Sequence, residues 1–193
     1  MKFRRAFLAA TGLCAALVLP AAAQDAPQTT DHKEFGDWAV ECYSGQPTAP
    51  CSMIDVLVDN NTKQRVLSVV LTYVPGVDRN IMRIVVPLGV LFDKGVVLTV
   101  GKYKSPVWKY GYCTTAGCFM QTDIDTTTLS AMAHATEKAK ATLVADNGKT
   151  VEITFSLASF TDAHDLMVDW ARQKAKGAAA PADAPEAAPA KKK

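Results

Sequence analysis

Five cysteines and three histidines are the residues of this 193-residue chain with the most chemistry to offer, and their spacing limits what that chemistry can be. Cys42 and Cys51 form one close pair, Cys113 and Cys118 a second, and Cys14 stands alone in an apolar run. A thioredoxin-like redox centre wants two cysteines separated by two residues at a helix start, where the helix lowers one thiol pKa. Cys113 and Cys118 are spaced more widely and lie in a β context, so redox catalysis is not expected. Zinc held by four thiolates would want closer spacing and a reducing compartment. The four cysteines are therefore read as structural disulfides, for which three connectivities are open. Crossed pairing closes the larger loops and contributes about 4 to 5 kcal/mol per bridge in the chain-entropy treatment, against about 2 to 3 for local pairing. Close pairs form first and suit the neck of a hairpin, which makes Cys42 with Cys51 and Cys113 with Cys118 the expected arrangement.

The other reactive side chains assemble nothing. His32 lies in a polar stretch, while His134 and His164 fall on separate helices and are read as exposed. His164 and Asp165 are adjacent, so on a helix they face different directions. There is no Gly-x-Ser-x-Gly elbow, no Gly-rich phosphate loop after a strand, and Asp123 with Asp125 does not make a calcium loop. No catalytic residue, metal or cofactor is assigned, and the chain is read as a non-enzyme. A binding surface has a better candidate in Tyr103, Trp108, Tyr110 and Tyr112, interleaved with Lys102, Lys104 and Lys109. Alternation from Val107 to Cys113 predicts Trp108, Tyr110 and Tyr112 on one face. That face is either a core stripe with solvated lysines opposite or a wet ledge, in which case Tyr103, Trp108, Lys109, Tyr110 and Tyr112 form the binding surface.

The elements that must position these residues are mostly strands. Phe35 to Cys42 alternates with Trp38, Val40 and Cys42 inward, and after a Gly/Pro turn Cys51 opens a second strand to Val58. Arg65 to Val74 is apolar on both faces and predicts a central strand covered on both sides. Ile81 to Val86 is a strand ended by Pro87, which cannot donate to a ladder. Val96 to Val100 and Phe119 to Ile124 follow the same logic. Asp125 or Thr126 caps a helix through Leu129, Met132, Ala133 and Thr136. Asn147-Gly148 predicts a hairpin whose second arm turns Val151, Ile153, Phe155 and Leu157 to one side. A last helix runs from Ser159 or Thr161 to about Lys174, with Ala163, Leu166, Met167 and Trp170 as its apolar stripe. The expected fold is mainly all-β, a disulfide-stapled antiparallel β-sandwich with two short helices.

The ends of the chain carry the compartment. Lys2, Arg4 and Arg5 precede an apolar run from Ala6 to Leu19 and the small residues Ala21-Ala22-Ala23, so residues 1–23 read as an export signal. The run is too short to span a bilayer, and bulky Leu13 before Cys14 argues against lipidation. Residues 24–34 read as a polar leader, 35–174 as one folded domain and 175–193 as a disordered Ala/Pro/Lys tail. Removing Lys2, Arg4 and Arg5 lowers Lys plus Arg from 21 to 18, against 19 acidic residues. A near-neutral chain of this kind argues against a general nucleic-acid binder, which would show a basic face, and the terminal lysines read as a solubilising tail.

One combination of motifs is more specific. Phe35-Gly36-Asp37-Trp38 leads into Cys42 and Cys51. Val86-Pro87-Leu88-Gly89-Val90, Gly95-Val96, Tyr112-Cys113 and Gly117-Cys118 follow, and Phe155-Ser156-Leu157-Ala158-Ser159-Phe160 with Ala163 closes the series. In this order they resemble the invasion-associated locus B family of alphaproteobacterial exported proteins. The resemblance covers about Phe35 to Trp170. One departure is Ala158-Ser159, where the family often has glycine. The resemblance implies a single β-rich sandwich domain with small helices, in the periplasm or attached to the outer membrane. It implies an interaction role with an envelope or host-cell surface component, linked in some members to host-cell invasion. It brings no catalytic residues, and the cysteines carry over as structural positions only. The runner-up function is a periplasmic lipid or small-molecule carrier using the sandwich interior; a hydrolase or redox enzyme comes third.

Overall fold

The computed structural model describes residues 27–135 and 138–179. The expected export signal, Thr136 of the first helix and residues 180–193 of the expected tail lie outside them. Two antiparallel sheets and two α-helices make up the fold. The strands are β1 (Thr29–Phe35), β2 (Trp38–Tyr43), β3 (Cys51–Val58), β4 (Arg65–Val74), β5 (Arg79–Val86), β6 (Val97–Val100), β7 (Tyr103–Lys104), β8 (Tyr110–Thr114), β9 (Gly117–Ile124), β10 (Ala139–Val144) and β11 (Thr150–Phe155). The helices are α1 (Thr126–Ala133) and α2 (Phe160–Ala179). A seven-stranded sheet runs β1-β2-β3-β4-β5-β9-β8 and a four-stranded sheet runs β11-β10-β6-β7, neither closed into a barrel.

Alternation places one face of the large sheet in the core. Trp38, Val40 and Cys42 of β2, Cys51 and Met53 of β3, Leu67, Val69 and Leu71 of β4, and Met82, Ile84 and Val86 of β5 are all buried. This face is covered by α2, which lies across β1 to β4, and by the smaller sheet with its inward Leu98, Ala141, Leu143 and Phe155. β4 is the middle strand of the seven. Its second face is half-buried at Val66, Val70 and Thr72 and buried at Ser68 and Val74, so the expectation of cover on both sides is met fully on one and in part on the other.

Both disulfides are local. Cys42–Cys51 and Cys113–Cys118 each join directly opposed residues of neighbouring strands, with Cα atoms 4.0 Å apart. Directly opposed antiparallel residues come closest where they do not exchange hydrogen bonds. The pairs β2–β3 and β8–β9 therefore offer the hairpin-neck geometry that the spacing suggests.

Two boundaries differ from expectation. The polar stretch read as a leader contributes β1 from Thr29 onward, an edge strand paired with β2 through a two-residue turn at Gly36-Asp37. A strand at a sheet edge needs little apolar content, and this one is also held by Lys174 of α2, 2.5 Å from Asp31. At the other end α2 runs at least to Ala179, past the expected tail boundary at 175, in keeping with the helix preference of the alanines there. At twenty residues α2 is not short.

Three residues of the family-like motifs acquire physical reasons. A Cβ on Gly117 would lie 2.3 Å from the Val86 carbonyl oxygen, and one on Gly95 2.3 Å from that of Trp108. Ser159, which leads into α2, has φ +58, the left-handed region that glycine enters without cost. Replacing Ser159→Gly is therefore expected to raise stability by about 0.5 to 1 kcal/mol. Gly117→Ala, at φ +130, is expected to lower it by about 2 kcal/mol or more. Urea midpoints of the purified variants, at unchanged m-value, measure both.

Candidate functional site

The aromatic arm does not form one face. Val96 bridges Trp108 through two backbone hydrogen bonds of 2.8 and 2.9 Å, which draws Trp108 into the junction between the sheets. Trp108 and Tyr110 are buried. The Tyr110 hydroxyl meets no hydrogen-bond partner among the described residues, and burial pushes its pKa up to about 12. The β8–β9 register then slips: Tyr110 opposes Met120 but Tyr112 opposes Phe119, leaving Gly111 as an extra residue. This bulge turns Tyr112 outward, where it is 53% exposed and stacks on Phe119 at 4.8 Å between ring centroids. Tyr103 is half-buried, with its hydroxyl 2.5 Å from that of Thr128 on α1. Lys109 is exposed and donates to the Asp93 carbonyl. The five residues expected as a ledge thus divide among core, helix contact and surface.

The histidines also divide. His32 and His134 are exposed. His164 is not, contrary to expectation: its side chain is 15% exposed, stacks on Phe160 and places Nε2 3.1 Å from Asn80 Oδ1. Burial holds its pKa below the ordinary value, against the opposing pull of Asp165. Across the sheet, Arg172 of α2 donates to the Tyr73 hydroxyl at 3.1 Å and to Asp78 at 3.2 Å, and its guanidinium lies over the Tyr73 ring. These contacts fix α2 to the β4–β5 end of the sheet. No group of three or more His, Cys, Asp or Glu that could hold a metal ion occurs among the described residues.

Asp55 is absent from the residues that the sequence singles out. It follows Cys51 and Met53 on the inward face of β3, so strict alternation is the signal that points to it. It is 4% exposed, and its Oδ2 meets no donor among the described residues. Burial, assisted by the charge of Asp37, raises its pKa to about 6. An ionised carboxylate with no partner in a low-dielectric site destabilises the fold.

A cleft is the second feature beyond those expectations. The crossover after β5 docks on the end of β10 through Leu91 N–H to Val144 O (2.8 Å) and Asp146 N–H to Gly89 O (2.9 Å). Between this crossover and the β10–β11 hairpin lies an apolar cleft of about 460 Å³, lined by Val66, Leu88, Val90, Leu143, Val151 and Ile153 among others. Leu88 is 58% exposed and Val151 37% exposed at its mouth. Val151 and Ile153 do point with Phe155, as the hairpin pattern predicts; Ile153 is half-buried against the core, and Val151 is left exposed. The signals in the sequence are an apolar Leu88 in a turn and an aliphatic residue beside the Asn147-Gly148 hairpin tip.

The family described as Invasion associated locus B (IalB) protein matches residues 38–168. The crystal structure of invasion associated protein b from Bartonella henselae superposes with a TM-score of 0.64 at 19% identity, over 73% of this chain and 98% of that one. At that identity the likeness is one of fold. No curated protein matches the chain.

Asp55 gives a pH signature. Its folded pKa lies above the ordinary 3.8, so the stability it contributes is full below about pH 4 and is lost as pH rises through about 6. Asp55→Asn is expected to stabilise the protein above pH 7, by up to about 3 kcal/mol at roughly 1.4 kcal/mol per pKa unit. At pH 4 the difference between the variant and the parent should shrink to about 0.6 kcal/mol. Thermal unfolding across pH 4 to 8 measures the difference, and a gap independent of pH contradicts the assignment.

Proposed function

The chain belongs to the invasion associated locus B family, and from that premise we propose that it is an exported cell-envelope protein that works by binding another envelope or host-surface component, not by catalysis. The observation that carries this reading is the apolar cleft, with Leu88 and Val151 both exposed in its lining. Exposed apolar surface gathered around a concavity is the usual mark of an interaction site. Two disulfides suit an oxidising compartment, in keeping with the periplasm or the outer-membrane surface. Among the described residues no helix is long and apolar enough to cross a membrane. The name of the Bartonella structure ties that protein to invasion; here invasion would be a specialisation of envelope binding.

The cleft also favours a second reading, a lipid or small-molecule carrier, since about 460 Å³ falls in the range of small-molecule sites. The carrier reading moves from the sandwich interior, where the inward side chains of β4 and β5 are closely packed, to this mouth. A co-purifying hydrophobic ligand in native mass spectra of protein isolated from periplasm supports the carrier. Immobilised protein incubated with solubilised envelope fractions tests the binding role. Leu88→Glu and Val151→Glu are expected to reduce specific capture at least about tenfold with unchanged far-UV circular dichroism. Capture that survives both changes places the binding surface elsewhere.

A further inference from the structure

Two open sheets leave four edge strands, β1, β8, β11 and β7, without a further partner strand among the described residues, and an unpaired edge invites another strand unless something blocks it. Three of the four are guarded. β1 carries Asp31, His32, Lys33 and Glu34 in succession. β7 is two residues long, bears Lys104 and runs into Pro106. β8 is broken by the Gly111 bulge and tied at its tip by Cys113–Cys118. β11, Thr-Val-Glu-Ile-Thr-Phe, has six residues, one charge, no proline and no bulge in its pairing with β10.

The hydrogen-bond phase of β11 shows what its edge offers. The hairpin begins with Ala145 N–H donating to Lys149 O at 2.9 Å, and the register runs on through Leu143↔Val151 and Ala141↔Ile153. Alternation of an antiparallel ladder then directs the backbone groups of Val151, Ile153 and Phe155 toward β10. Those of Thr150, Glu152 and Thr154 point outward. The bond from Leu91 N–H to Val144 O fixes the same phase independently, because Val144 bonds away from β11. No backbone partner for Thr150, Glu152 or Thr154 on that side occurs among the described residues. Along this edge lies the apolar cleft, whose lining includes Val151, Glu152, Ile153 and Thr154.

We propose that β11 is a docking edge for an extended segment of another protein, which adds as a strand beside Thr150, Glu152 and Thr154 and seats alternate aliphatic side chains in the cleft against Leu88, Val151 and Ile153. Backbone pairing supplies affinity and the cleft supplies selection, since alternate residues of an added strand face the same side as Val151 and Ile153. Charge selects the rest. Glu152 lies on the outer face with Lys140 Nζ 3.0 Å from its carboxylate, and it is the one acid on the strand, so the incoming residue opposite it is basic or neutral. In the antiparallel register centred on Glu152, which brings the outward groups of residues 150 to 154 together, a second copy of β11 would set Glu152 against itself, which disfavours self-pairing. The inference rests on the binding role proposed above and names the class of partner.

The test uses the full mature chain and a synthetic eight-residue peptide that alternates valine with threonine and has one central lysine on the threonine face. A twin peptide carries N-methyl groups on the alternate residues whose amides would pair with β11. Amide exchange read by NMR is expected to slow at Thr150, Glu152 and Thr154 on addition of the first peptide. The N-methylated twin should bind at least about tenfold more weakly. Glu152→Pro removes one outward N–H while sparing the ladder to β10, and should weaken the first peptide by a similar factor. Equal affinity of the two peptides, protection confined to residues outside β11, or a dimer in sedimentation that the peptide cannot dissolve overturns the proposal. If envelope capture persists while the peptide shows no protection, the docking edge fails and the binding role stands.

Discussion

The indole of Trp38 is the point at which the three layers of the molecule meet. Its ring lies edge-on to Phe155 of the small sheet at 6.5 Å and to Phe160 of α2 at 5.4 Å, and its N–H donates to the Ser156 carbonyl at 3.1 Å. Each contact satisfies a different requirement of a buried tryptophan: apolar surface on both faces of the site and a partner for its one polar atom. The same three contacts set where β11 ends and α2 begins, because the chain must pass over the indole to make them. The Cys42–Cys51 bridge, on the same face of the same strand, then holds β2 to β3 beneath it.

A covering layer of four strands and one helix is narrower than the seven strands below it. α2 lies over β1 to β4 and is fastened there by Lys174 to Asp31 and by Arg172 to Tyr73 and Asp78. The small sheet takes the remainder and leaves the Thr150 end of its own outer strand exposed, while Phe155 at the other end stays in the core. The cleft is thus a by-product of how the layers divide the work, and it stays apolar because Val151 and Ile153 continue the same inward face as Phe155. Asp55 shows the opposite case, a charge placed on the inward face where alternation would call for an aliphatic residue. Natural domains keep such groups where something other than stability is served.

Much of this architecture is legible in local patterns along the chain. The apolar run of β4, the Asn147-Gly148 hairpin, the cap at Asp125 and the nearness of the paired cysteines all act within a few residues, and the fold keeps them. The Asp125 carboxylate, for instance, accepts from Thr128 N–H at 2.7 Å. What local patterns do not carry depends on neighbours distant in sequence. The slip at Gly111 is decided by pairing with β9, so alternation alone puts Tyr112 on the wrong face. β1 is polar and is a strand because β2 and α2 are there to receive it. His164 is buried by Asn80 of β5, more than eighty residues away. The aromatic arm resembles a surface for the same reason: nothing within it announces the bridge from Val96 that pulls Trp108 inward.

The strand order has a consequence in time. β1 to β5 lie side by side in the order in which they occur along the chain, whereas β6 waits for β10 and β8 for β9. In a chain that crosses a membrane amino-end first, the opening hairpins can assemble while the rest is still in transit. Cys42 and Cys51 lie opposite each other in the second of these hairpins, so β2 and β3 alone bring their sulfurs together and need neither β8 nor β9. Each pair is thus used up inside its own hairpin, whereas the crossed pairings that loop entropy alone would favour need a completed sheet, so hairpin register settles which sulfurs meet.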